Sequence, residues 1–216
     1  PNFFTGTGSL NVTASPPVSN LTQQIGYLTI QPAINAASNG DVIEVAAGTY
    51  DGFRVTGKTD LTVQASGVVT ITPVNISGET AGVYVDPGTT GLIIDGFSFD
   101  RTGLTNSRGV IGRDGSGYEV KNSSFANLAT GVYANGTGSG NVSLTVKNST
   151  FTNCSAGVGG TEATNPAIIT GNTFTIPTNG EGVGLGTGVG GLTLNDNSFL
   201  PNTAVAIANY TISTLS

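Results

Sequence analysis

Eight of the chain's twenty charges fall within 27 residues: Asp95, Asp100, Arg101, Arg108, Arg113, Asp114, Glu119 and Lys121. Carboxylates gathered in this way could act as a general base or hold a hard cation such as Ca2+, and guanidiniums could orient a ligand. Asp95, Asp100, Arg101 and Arg113 are the candidates for those roles. The competing reading, favoured on sequence, is a solvated ionic patch with no catalytic residue in it. Other catalytic apparatus is absent, because a chain without His cannot build Ser-His-Asp, Cys-His or His-zinc constellations. Cys154 has no second cysteine to pair with, and in the corner Thr152-Asn153-Cys154-Ser155 it reads as a small packed residue. No cofactor is expected, with Ca2+ the one open option.

The elements that must position these residues are set by a repeat. Phe99, Phe125, Phe151, Phe174 and Phe199 recur at spacings of 26, 26, 23 and 25, each closing a motif such as EVKNSSF or TVKNSTF. A second series runs out of phase with it: Gly82-Val83, Gly109-Val110, Gly131-Val132, Gly157-Val158, Gly182-Val183 and Ala204-Val205. Periods of this length, with alternating Val, Ile, Thr and Phe between Gly and Asn corners, predict strands stacked as a solenoid. Glycine and asparagine tolerate the left-handed backbone that sharp corners need, which accounts for many of the 33 glycines. The expected fold is all-β, a parallel β-helix of about 8 coils, forming a rod about 35 to 40 Å long. Residues 1–20 read as an extended arm and 21–216 as the solenoid.

Helical spacing occurs in one place. Thr29-Ile30-Gln31-Pro32-Ala33-Ile34-Asn35-Ala36-Ala37 has apolar residues at 30, 33, 34 and 37, with Pro in the first turn and Asn39-Gly40 as a stop. It predicts a cap helix over about 29–38. Together with the following strand, LTIQPAINAASNGDVIEVAAGTY (28–50) resembles the opening of the right-handed parallel β-helix superfamily that includes pectate lyases and pectin methylesterases. The resemblance covers about 28–212 and implies a right-handed, single-stranded β-helix. It says little about activity, since the architecture hosts lyases, esterases, spikes and adhesins. Were the activity that of the family, Arg101 or Arg113 would orient an acidic sugar while Asp95 or Asp100 held a cation or served as base. The longer family signatures around such residues are not matched.

Composition narrows the partners. Charged residues make up 9% of the chain and the net charge is −6, so no basic stripe can form for nucleic acid. No apolar run is long enough to span a bilayer. Sugar platforms would have to come from six Tyr, since Trp is absent. Tyr84 and Tyr133, each just after a Gly-Val pair, could face outward together, although filling the side of the rod is the favoured reading. Nine sequons, at Asn11, Asn20, Asn75, Asn122, Asn135, Asn141, Asn148, Asn153 and Asn209, double as corner motifs. With the Ser- and Thr-rich composition and a start at Pro1 without Met or a signal peptide, they suggest a processed, exported surface glycoprotein.

The first 40 and last 20 residues carry no charge. Solenoid ends are open strand edges that charges or caps usually protect. Phe3, Phe4, Leu10 and Val12 in the arm, and Val205 and Ile207 in the last coil, are therefore expected assembly contacts. The resulting expectation is a non-catalytic structural or adhesive protein that self-associates into filaments or a sheath. The alternatives are a polysaccharide lyase, esterase or carbohydrate-binding module, or a fragment of a longer β-helical adhesin.

Overall fold

The computed structural model describes residues 15–101, 106–136, 140–161, 164–186, 191–200 and 205–208. They form a parallel β-solenoid of two sheets, one of 13 strands (sheet A) and one of eight (sheet B). One column of sheet A stacks Val42–Asp51, Thr62–Thr72, Leu92–Asp100, Gly117–Lys121, Val142–Lys147, Thr164–Thr170 and Leu192–Asn195 in parallel. After a corner, sheet A continues through Ser124–Ala126, Thr150–Thr152, Thr173–Thr175 and Ser198–Phe199. Sheet B stacks Phe53–Val55, Glu79–Val85, Ser107–Arg113, Thr130–Asn135, Ala156–Gly160, Glu181–Leu185 and Val205–Ala208.

Both repeats are ladders in register. Phe99, Phe125, Phe151, Phe174 and Phe199 stack with centroids 4.8 to 4.9 Å apart and planes within 9° of parallel, which is the strand spacing itself. Val83, Val110, Val132, Val158 and Val183 form the facing column, all fully buried. Corner residues Asn122, Asn148 and Asn153 have positive φ, as the corners demand. Ser123 and Ser149, buried beside them, continue the hydrogen bonding from coil to coil through their hydroxyls.

The cap helix is Ile30–Ala36, a residue or two shorter at each end than expected, and it buries Ile30, Ala33 and Ile34 on the first coil. Three strands depart from the parallel pattern. Val18–Asn20 pairs antiparallel with both Ile25–Tyr27 and Val42–Asp51, and Val74–Ile76 folds back antiparallel on Glu79–Val85. The last residues of the expected arm thus sit within sheet A, with Val18 and Asn20 fully buried. The acceptor Asn20 of its sequon is itself fully buried, its amide donating to Asp41 over 2.7 Å. Asn75, Asn122, Asn141, Asn148 and Asn153 are exposed and Asn135 is half-buried. Phe3, Phe4, Leu10, Val12, Asn11 and Asn209 lie outside the described residues, as do the side chains of Val205 and Ile207. Among the described residues no helix is long and apolar enough to cross a membrane.

Candidate functional site

The charged stretch does not form one site. Its length is about that of one coil, so it winds around the rod and its members leave on different faces. Asp95 points out from the first column of sheet A, 3.4 Å from Lys121 Nζ, and accepts a 2.7 Å hydrogen bond from the Asn122 amide. Asp100 lies beyond the corner, accepting from Asn127, whose own carbonyl accepts from Asn153. Arg101 follows Asp100 at the strand end, and Arg113 closes a strand of sheet B. The two candidate carboxylates thus head corner ladders, and the groove that Asp95, Asp100, Arg101 and Arg113 would have needed to share does not form. Nor do the described residues gather three or more acidic, His or Cys side chains fit to hold a metal. Lys121 and Lys147 are register partners on the outer face of sheet A, neutralised by Asp95 and Glu119 from the coils beside them.

What the fold brings together instead is an aromatic and cationic face on sheet B. Alternation turns the residue after each buried Val, and after Phe53 in the same ladder, to the outer side, so Arg54, Tyr84, Ile111 and Tyr133 form one column across four coils. Tyr84 and Tyr133 thus share a column two rungs apart, about 10 Å at the strand spacing, but Tyr84 and Ile111 are buried with Ala81, and of the two tyrosines only Tyr133 is partly exposed, so for Tyr84 the favoured reading as filler of the rod's side holds. Gly109, like Val110, faces the core against Phe125, so the alternation breaks between them and Arg108 projects on the outer side. Its guanidinium lies 4.8 Å from the Tyr133 ring centroid, a cation–π arrangement.

Glu79, from the preceding coil, ties this face together. One carboxylate oxygen pairs with Arg108, and the other stands 3.5 Å from Arg113. One carboxylate is thus shared between two guanidiniums, and the Asp86 carboxylate also feels the charge of Arg113. The Nε of Arg108 is buried without a hydrogen-bond partner among the described residues, a cost borne by the folded chain. Arg54 is occupied differently. It grips Asp86 through two nitrogens, Nη2 at 2.6 Å, and lies 5.4 Å from the Tyr84 ring. Burial pushes the Asp86 carboxyl up, but hydrogen bonds from Arg54 and Thr56 outweigh it and hold it below the usual carboxylate value. Arg54 and Asp86 thus brace the end of the face, while Arg108, Arg113, Glu79 and Tyr133 are its half-exposed centre. Glu79 and Arg54 had no sequence signal of their own, since each finds its partner a full coil away.

No protein-family profile matches the chain, and no curated protein matches it. Two solved structures are similar in fold. One is a PL6 family alginate lyase, AlyGC, at 15% identity and TM-score 0.49, covering 84% of this chain and 38% of the lyase. The other is a pectin methylesterase in complex with a hexasaccharide, at 11% identity and TM-score 0.45, covering 88% of this chain and 79% of the esterase. The chain spans well under half the length of the lyase. The fold is a parallel β-solenoid, and both likenesses are of fold alone. The expectation of a non-catalytic structural, adhesive or filament-forming protein is thereby corrected: both similar structures are carbohydrate-active enzymes, and the lean away from catalysis goes with it.

Proposed function

We propose that this chain is an extracellular carbohydrate-active β-helix that takes an acidic polysaccharide across the outer face of sheet B. The observation that carries the reading is Glu79 shared between Arg108 and Arg113, with Arg108 stacked on Tyr133. Planar guanidiniums recognise carboxylates through paired hydrogen bonds. A uronate carboxylate approaching Arg113 would compete with the looser arm of the Glu79 pair, 3.5 Å away, rather than with a tight contact. Tyr133, half-buried, offers an apolar edge to a sugar ring, whereas Tyr84 is buried beneath the face. Of the reaction types open to a His-free site, those are favoured in which a guanidinium neutralises the substrate's carboxylate while a carboxylate or phenol handles the proton. Glu79 and Tyr133 are the groups in place for that step.

The test is a panel of polygalacturonate, alginate and methyl-esterified pectin, scored for binding by titration calorimetry and for turnover by unsaturated or de-esterified products. At least one polyuronate should bind, and Arg108→Ala should weaken it. Failure of every acidic polymer to bind would end the proposal.

A further inference from the structure

A second surface, on the opposite sheet, has the makings of a saccharide site of different character. Where three coils of sheet A begin, an open groove of about 530 Å3 runs along the rod. Two glycines make its floor. Gly117 pairs in register with Ser143 of the next coil, and a Cβ built on Gly117 would lie 3.8 Å from the Gly91 nitrogen of the preceding one. The side chains of Ile93, Glu119 and Thr145, one per coil in register, form one wall. Thr90 and Asn141 also line the groove.

The chemistry of this groove differs from that of sheet B. Its lining is hydroxyl, amide and bare backbone around a short apolar strip. Among the described lining residues the one formal charge is Glu119, already held by Lys147 Nζ at 2.9 Å. Nothing there would compensate a ligand carboxylate. Ser116 lies beneath the groove, 2% exposed, and its hydroxyl is turned inward, 2.8 Å from where a Cβ on Gly112 would stand, so it takes no part in the lining chemistry.

We infer that the sheet A groove between Ile93, Glu119, Thr145 and Asn141 is a binding site for a neutral oligosaccharide laid along the rod axis over the Gly91 and Gly117 floor. Hydroxyl-to-hydroxyl and amide-to-hydroxyl bonds would orient it, and Ile93 would meet the apolar face of a ring. The site is independent of the acidic-polymer reading, shares no residue with sheet B, and would let one rod hold two glycan segments at once.

Gly117 supplies the test. Its φ is not in the left-handed region, and a Cβ there would make only ordinary contacts, at 3.6 Å or more, so Gly117→Leu fills the groove without straining the backbone. Cellotetraose, mannotetraose and laminaritetraose would be titrated into the wild-type chain, Gly117→Leu, Asn141→Ala and Arg108→Ala, with thermal unfolding of each recorded. The expected result is that at least one neutral tetrasaccharide binds the wild type, that Gly117→Leu weakens it about tenfold or more, that Asn141→Ala weakens it less, and that Arg108→Ala leaves it unchanged. The proposal is overturned if none of the three binds, or if a normally folded Gly117→Leu binds as before. Should Gly117→Leu not fold, Asn141→Ala and Thr145→Val decide, and unaltered affinity in both overturns it.

Discussion

A Cβ placed on Gly131 would stand 2.5 Å from two ring carbons of Phe151. The same meeting occurs between Gly157 and Phe174, where the nearest ring carbon is 2.6 Å away. The two sequence repeats, out of phase along the chain, thus interlock in space: each glycine leaves room for the phenylalanine of the next coil.

Gly131→Ala should accordingly destabilise the rod by about 1 to 3 kcal/mol, the usual cost of forcing atoms into a packed core. Gly117→Ala, whose Cβ would make only ordinary contacts at 3.6 Å or more, should be neutral or slightly stabilising. Urea unfolding midpoints measure both, and equal midpoints for the two variants would refute the interlock.

The first coil should be sensitive to acid. The Asn20 hydrogen bond, opposed by burial and joined by the Ser38 N–H and Gln23 amide, holds the Asp41 carboxyl below its ordinary value of 3.8. A depressed carboxyl contributes stability that is complete above the unfolded value and is lost as pH falls through the folded one. Wild type should therefore be more stable than Asp41→Asn at neutral pH, with the gap closing below about pH 3.8. A gap that stayed constant into acid would show that the charge of Asp41 contributes nothing.

Cys154 should be inert in the native chain. Burial pushes its thiol up to about 11, and the side chain is fully buried, with Sγ 3.7 Å from the Phe125 carbonyl oxygen. A chromogenic disulfide at about pH 8 should label it only after unfolding. Rapid labelling of the folded protein would mean that this corner opens.

Asp95→Asn and Asp100→Asn are expected to leave saccharide binding untouched. Both carboxylates serve corner ladders, and the Asp95–Lys121 pair is half-exposed, so each change should cost no more than about 1 kcal/mol of stability. Loss of polyuronate binding in either variant, with folding intact, would return the active face to sheet A.

The contrast between ladder and site explains what the sequence could convey. Phe99 to Phe199 and Val83 to Val183 are legible because a ladder repeats one residue type at one period. The ladder's continuation to Gly52-Phe53 is less so, because Phe53 stands in register with Val83 where the pattern calls for Val. The antiparallel strands Val18–Asn20 and Val74–Ile76 carry no period at all. Function is harder still, because neighbours in a solenoid are one coil apart. Glu79 meets Arg108, Glu119 meets Lys147 and Arg54 meets Asp86 across 28 to 32 residues, whereas the residues from Asp95 to Lys121, close in sequence, encircle the rod. Tyr84 and Tyr133 could be placed on one face because they flank a ladder. Glu79, which flanks none, could not.

The most direct test of the acidic-polysaccharide reading is the affinity of Arg108→Ala for the best-binding oligouronate, measured by titration calorimetry beside wild type at low and high salt. Loss of a desolvated guanidinium contact to a carboxylate should weaken binding by about tenfold or more and flatten its salt dependence. Undiminished affinity in a folded Arg108→Ala would contradict the assignment of sheet B as the polysaccharide face.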